Sequence, residues 1–128
     1  MLRFHHVGCA VASIESALEF YRPLFPKISS PIAVSSQGVN VCLVETGAGI
    51  FTELVEPAAA DSPVKNLVKK GFTYYHIGYV ASDFDAAMAL LVDLGYRPQS
   101  TFHSEAFGER RCCFFTSPVM HMIELIEE

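Results

Sequence analysis

The feature that most limits what this chain can fold into is that part of it is written twice. Phe4-His5-His6-Val7-Gly8-Cys9-Ala10-Val11 returns 70 positions later as Tyr74-Tyr75-His76-Ile77-Gly78-Tyr79-Val80-Ala81. Each copy carries an aromatic lead-in, a histidine, a branched aliphatic, a glycine and an apolar run. A second echo lies downstream, where Thr52-Glu53-Leu54-Val55-Glu56 matches Ile123-Glu124-Leu125-Ile126-Glu127. His6 precedes Glu53 by 47 positions and His76 precedes Glu124 by 48. A unit this long, present only twice, points to duplication of a whole module rather than to a solenoid repeat.

Between the echoes the hydrophobic period alternates between two and 3.6 residues. Residues 3–11 alternate in the manner of a strand, with Phe4, His6, Gly8 and Ala10 on one face and His5, Val7, Cys9 and Val11 on the other. Ser13 can cap a helix whose inner side is Ile14, Ala17, Leu18 and Tyr21, and Pro23 and Pro26 end it. Residues 30–36 are weakly strand-like, Gly38 marks a turn, and strands are predicted at 39–44 and 50–56. Asp61-Ser62-Pro63 offers a cap and a first-turn proline for a short helix through Val64, Leu67 and Val68. The second half repeats the plan. It has a strand at 73–81, a helix at 83–94 capped by Asp83 with Phe84, Ala87, Leu90, Leu91 and Leu94 inward, and strands at 97–102, 109–116 and 119–126 around a loop from His103 to Gly108.

The expected fold is therefore α+β: two tandem βαβββ modules forming curled mixed sheets with helices outside. All of residues 1–128 make one domain, with module one at about 1–57, a linker and short helix at about 58–71, and module two at about 72–128. Right-handed twist curls each sheet, so the inner faces can form one cleft.

Composition removes several function classes. With 51% hydrophobic and 18% charged residues the chain is not a disordered segment. A net charge of −5 argues against nucleic acid as a general partner. No apolar run reaches the roughly 18 residues of a membrane helix, and Met1-Leu2-Arg3 enters the first strand without a signal-peptide pattern. Cys9, Cys42, Cys112 and Cys113 show no CxxC spacing, so free thiols and a cytoplasmic location are expected.

The duplicated residues carry the chemistry. Parity puts His6 and His76 on the face away from Val7 and Ile77, which suit packing under a helix, so the histidines face the cleft. Glu53 and Glu124 each sit among apolar neighbours in the last strand of a module. A buried, unpaired carboxylate costs several kcal/mol, and a cation is the obvious compensation. Two imidazole nitrogens and two carboxylate oxygens make a site for one divalent metal; nickel, cobalt, manganese and zinc all accept such donors.

In these residues the sequence resembles the vicinal oxygen chelate superfamily, which includes glyoxalase I, methylmalonyl-CoA epimerase, extradiol dioxygenases and fosfomycin- or bleomycin-resistance proteins. The likeness covers nearly the whole chain: His6-Val7-Gly8-Cys9-Ala10-Val11, Glu53-Leu54-Val55-Glu56-Pro57 with Asp61-Ser62-Pro63, Tyr75-His76-Ile77-Gly78, and Glu124-Leu125. It implies metal ligands at His6, Glu53, His76 and Glu124, with Glu53 or Glu124 as catalytic base. It further implies a metal-dependent lyase or isomerase that removes a proton next to a metal-bound carbonyl through an enediolate. The implied partners are a small-molecule substrate, either a thiol conjugate such as a hemithioacetal or a CoA thioester, and a second copy of the chain in a homodimer.

Two nearest branches compete. Epimerase-like members carry an extra glutamate base just before the turn into the third strand, where this chain has Ser36. A serine hydroxyl is a poor base, so the glyoxalase type is the expected activity, with an epimerase-like enzyme and a non-catalytic binding or resistance-type protein as alternatives. Iron with two histidines and one carboxylate, as in extradiol dioxygenases, fits the four-donor set less well. His5 is set aside by parity. His103 and His121 have no histidine counterparts and read as surface residues; Arg110, Arg111, Lys65, Lys69 and Lys70 are candidate anion contacts that read as solvated by default.

Overall fold

The computed structural model describes residues 1–128. Its centre is β1 (Leu2–Ala10), which runs parallel to β4 (Ile50–Pro57) on one side and antiparallel to β5 (Tyr74–Ala81) on the other. The β1–β5 pair joins the two modules, so one continuous sheet replaces two facing ones. Outward from β4 come β3 (Val39–Gly47) and β2 (Ile32–Val34). Outward from β5 come β9 (Ile123–Glu127), β8 (Arg110–Thr116), and two short strands that both pair with β8, β6 (Arg97–Pro98) and β7 (Phe102–Ser104).

Three helices cover the convex side and the junction: α1 (Ile14–Tyr21), α2 (Pro63–Lys69) and α3 (Phe84–Asp93). Ser13 Oγ accepts the Ser16 N–H at 3.2 Å and Asp83 Oδ1 accepts the Ala86 N–H at 3.0 Å, so both module helices start at the expected caps. Ile14 and Leu18 of α1 pack on Cys42, Val44 and Leu54, and each such burial contributes roughly 1.5–3 kcal/mol. Phe84, Ala87 and Leu91 of α3 pack in the same way on Cys113, Phe115 and Leu125.

Four expectations need correction. Leu90 and Leu94 are exposed: Leu90 lies about 240° around the helix from Phe84, off the buried stripe, and Leu94 is the C-cap beyond the last helical residue. Pro98 interrupts the predicted 97–102 strand, leaving β6 and β7 as separate pieces. The last strand begins at Ile123, not 119. Ser62 precedes α2 but makes no side-chain cap; its buried hydroxyl has no partner.

The extra residue in the second copy is Glu109. Gly38 and Gly108 are 70 apart and both left-handed (φ 62° and 65°), whereas β3 and β8 begin 71 apart at Val39 and Arg110. Glu109 takes up the difference at φ 63°, a conformation non-glycine residues seldom adopt.

On the concave side the sheet curls until its two ends meet. The 3-10 turns Ser35–Gln37 and Glu105–Phe107 stand at opposite rims. The Ser35 backbone N–H and Oγ both donate to Glu105 Oε2 at 3.1 Å. These donors hold the Glu105 carboxyl below its ordinary range.

Candidate metal centre

Strand register builds the centre. Gly8 of β1 stands opposite Glu53 of β4 and His76 of β5; Gly78 of β5 stands opposite His6 of β1 and Glu124 of β9. Residues directly opposite in a sheet share a face, so two cross-strand rows, Glu53–Gly8–His76 and His6–Gly78–Glu124, bring all four predicted residues to the concave side. The glycines are required for this. A Cβ on Gly8 would clash with the His76 ring, and one on Gly78 would clash with the His6 ring, each closer than real Cβ contacts come. Each repeat's glycine makes room for the other repeat's histidine.

The four residues are at most 4% exposed, and one donor atom from each lies within 4.8 Å of all the others. His6 Nε2 and His76 Nε2 are 2.8 Å apart. Glu124 Oε2 is 3.1 Å from both, and Glu53 Oε1 is 3.3 Å from His76 Nε2 and 3.7 Å from His6 Nε2. Donors bound at about 2.1 Å from a common centre stand about 3.0–3.4 Å from one another. The separations of 3.1–3.3 Å fall in that range and those of 2.8 and 3.7 Å lie just either side of it; the buried Glu124 Oε2, though 3.1 Å from both histidines, makes no well-aligned hydrogen bond to either. The residues therefore fit a divalent cation. His6 and Glu53 come from module one and His76 and Glu124 from module two, so a single chain assembles the whole set.

Electrostatics agree with a cation-seeking site. Burial raises Glu124, but its contacts with His6 and His76 outweigh that and bring it down to about 2. Burial lowers His76, and the two carboxylates reverse this, raising it to about 9.

The glyoxalase/bleomycin resistance protein/dioxygenase superfamily model matches residues 5–127, which include all four donors. The chain belongs to this superfamily. It is 36% identical to the uncharacterized protein YqjC of Bacillus subtilis (strain 168) over 118 residues, spanning 91% of this chain and 84% of that protein. The structure of methylmalonyl-CoA epimerase from Mycobacterium tuberculosis superposes with a TM-score of 0.83 at 26% identity, covering 97% of this chain and 86% of that one. A methylmalonyl-CoA epimerase in complex with methylmalonyl-CoA and NH4+ superposes at 0.84, again at 26% identity, covering 100% of this chain and 95% of that one.

As a superfamily member the chain has its cleft where the repeats face each other. A narrow cavity leads to Glu53, His76 and Glu124. Valines 34, 39, 41 and 55 with Phe102 and Phe114 make it apolar, while Gln37, Tyr75 and Ser104 are its neutral polar groups. His6 is not on its wall, because the Phe107 ring stacks on it at 5.4 Å and 26°. The site is entered from the His76 side.

His5 and Tyr75 stand where parity did not put them. The β1–β5 register shifts between Phe4 and His6 and again between Gly8 and Cys9, so His5 on one strand and Tyr75 on the other are each an extra residue in a bulge. Both turn toward the concave side. His5 is buried with its Nδ1 2.9 Å from His6 Nδ1, and burial followed by the neighbouring His6 lowers it to about 4, keeping it neutral. Tyr75 packs edge-on against His76 at 4.5 Å, and burial pushes its phenol up, so it stays protonated. The only sequence sign of either is a large side chain before each histidine.

The remaining candidates lie elsewhere. Arg111 is bound to Asp85 and Glu127 over the Phe84 ring, Arg110 donates to the Phe107 carbonyl, and Lys65, Lys69 and Lys70 are exposed on and just after α2. His103 is exposed, and His121, half-buried against Tyr74, lies outside the donor set. Ser36 is exposed and does not line the cavity; its neighbour Gln37 does.

Proposed function

We propose that this chain is a divalent-metal-dependent isomerase of the glyoxalase type, acting on a thiol-conjugated aldehyde such as a hemithioacetal. The observation that carries the reading is the meeting of two buried glutamates and two buried histidines beside an apolar cavity. A divalent cation held by His6, Glu53, His76 and Glu124 would supply Lewis-acid stabilisation of negative charge on a substrate oxygen. Glu124 or Glu53 accepts the proton from the adjacent carbon, and a carboxylate returns it to the neighbouring position. Valine and phenylalanine walls keep water from the exchanging proton. Gln37, Tyr75 and Ser104 offer hydrogen bonds to an uncharged part of the substrate.

A second reading, epimerisation of a CoA thioester, is favoured by the likeness to epimerase structures. It relies on the same carboxylates, since Ser36 neither lines the cavity nor makes a base. In either case cytoplasmic location and pairing with a second copy belong to the proposal; no helix is long and apolar enough to cross a membrane. The test is to strip the protein of metal, reload it with nickel, cobalt, manganese or zinc, and assay hemithioacetal isomerisation and methylmalonyl-CoA epimerisation side by side. Turnover of the first supports the proposal and turnover of the second alone transfers it to the second reading. Metal uptake with turnover of neither would argue for a binding protein.

A further inference from the structure

The two histidines of the centre are equivalent in sequence but not in surroundings. His6 Nδ1 has a buried partner in His5 Nδ1 at 2.9 Å, whereas His76 Nδ1 is buried with none. We infer that His5 is a positioning residue, fixing the tautomer and ring orientation of His6 and through it the affinity of the whole centre for metal. The inference rests on the metal-centre reading above.

The tautomers follow from the ligand role. For His6 Nε2 to present its lone pair to a cation, the ring proton must sit on Nδ1. That N–H then donates to His5 Nδ1, which must be the unprotonated nitrogen of a neutral ring. His5 is itself held in place. Its ring lies 5.1 Å from Phe51 and 5.4 Å, edge-on, from Phe107, the same ring that stacks on His6. The bulge that makes His5 an extra residue is what lets it reach along its own strand. At the matching place in the second copy, the Tyr75 ring stands perpendicular to His76 at 4.5 Å and leaves His76 Nδ1 without such a partner. The centre thus has one histidine anchored at both nitrogens and one anchored at Nε2 alone, on the side where the cavity opens. Partners of this kind set ligand orientation and basicity, and their loss typically weakens metal binding 10–100-fold.

The experiment compares two side chains of equal shape. Asparagine can place an acceptor oxygen near the position of Nδ1; leucine cannot. Wild-type chain, His5→Asn and His5→Leu are stripped with chelator and titrated with cobalt(II), following visible absorption and heat. Metal-free melting temperatures are recorded alongside. The expected result is that His5→Asn binds cobalt within about threefold of wild type while His5→Leu binds about 10–100-fold more weakly with an altered spectrum, although its metal-free melting is undiminished. If His5→Leu does not fold, His5→Phe, which refills the space between Phe51 and Phe107, is read in its place. Equal affinity for wild type and the leucine variant, or an asparagine variant as weak as leucine, would overturn the inference alone. A wild-type chain that takes up no cobalt would overturn the metal-centre reading and this inference with it.

Discussion

Gly8 and Gly78 matter because of what a single methyl group would displace. A Cβ at Gly8 has no space while His76 keeps its place. Gly8→Ala should therefore cost about 1–3 kcal/mol in a urea melt, as overpacking does, and should weaken metal binding because His76 has to leave the cluster. An alanine variant with wild-type melting and affinity would show that the cross-strand fit is not what places the histidine. Glu124→Gln keeps the shape and removes the proton acceptor, and turnover should fall by about 10²–10⁴-fold with circular dichroism unchanged. Undiminished turnover would remove Glu124 from the proposed chemistry. At this scale the four residues that meet on the concave face are legible in the sequence because duplication singles them out, each in register with its copy. His5 and Tyr75 were misplaced because a bulge of one residue inverts the alternation on which parity depends.

The helices of the two modules are capped by unlike residues in like positions, Ser13 and Asp83. Ser13→Ala and Asp83→Ala should each cost about 1 kcal/mol. In the double variant the losses should add to within about 0.5 kcal/mol, because α1 packs on module one and α3 on module two. Urea denaturation measures all three, and a clear departure from additivity would mean that the outer layers are coupled through the sheet. Both caps were readable from Ser and Asp ahead of apolar stripes. The strands that were misread lie in the second half, beside Pro98 and Pro118, where β-propensity continues but pairing does not. Ser35 and Glu105 clasp the rims through a contact 70 residues apart in sequence, and no local pattern announces it.

At the scale of the molecule, the β1–β5 pairing turns two half-sites into one centre. The repeats announced two modules, but their edge-to-edge register came only with the structure, because it depends on each glycine meeting the other histidine. On the proposed metal-centre reading, metal binding competes with protons. His76 in the metal-free chain is raised to about 9 from an ordinary 6.5, so below about 9 a metal must displace a proton. Affinity should rise about tenfold per pH unit between pH 6 and 8, and calorimetry in buffers of different ionisation heat should detect close to one proton released; a pH-independent affinity would contradict this. In the metal-free chain the His76 contribution to stability is present below 6.5 and lost as pH rises through about 9, while that of Glu124, lowered to about 2 from 4.5, is present above 4.5 and lost as pH falls through about 2. The most direct test of the central claim is metal content after loading and exhaustive dialysis, in wild type and in His6→Ala, Glu53→Ala, His76→Ala and Glu124→Ala. The proposed metal centre predicts one divalent ion per chain in wild type and clear loss in all four variants. A metal-free wild type, or full occupancy retained in variants from either module, would contradict it.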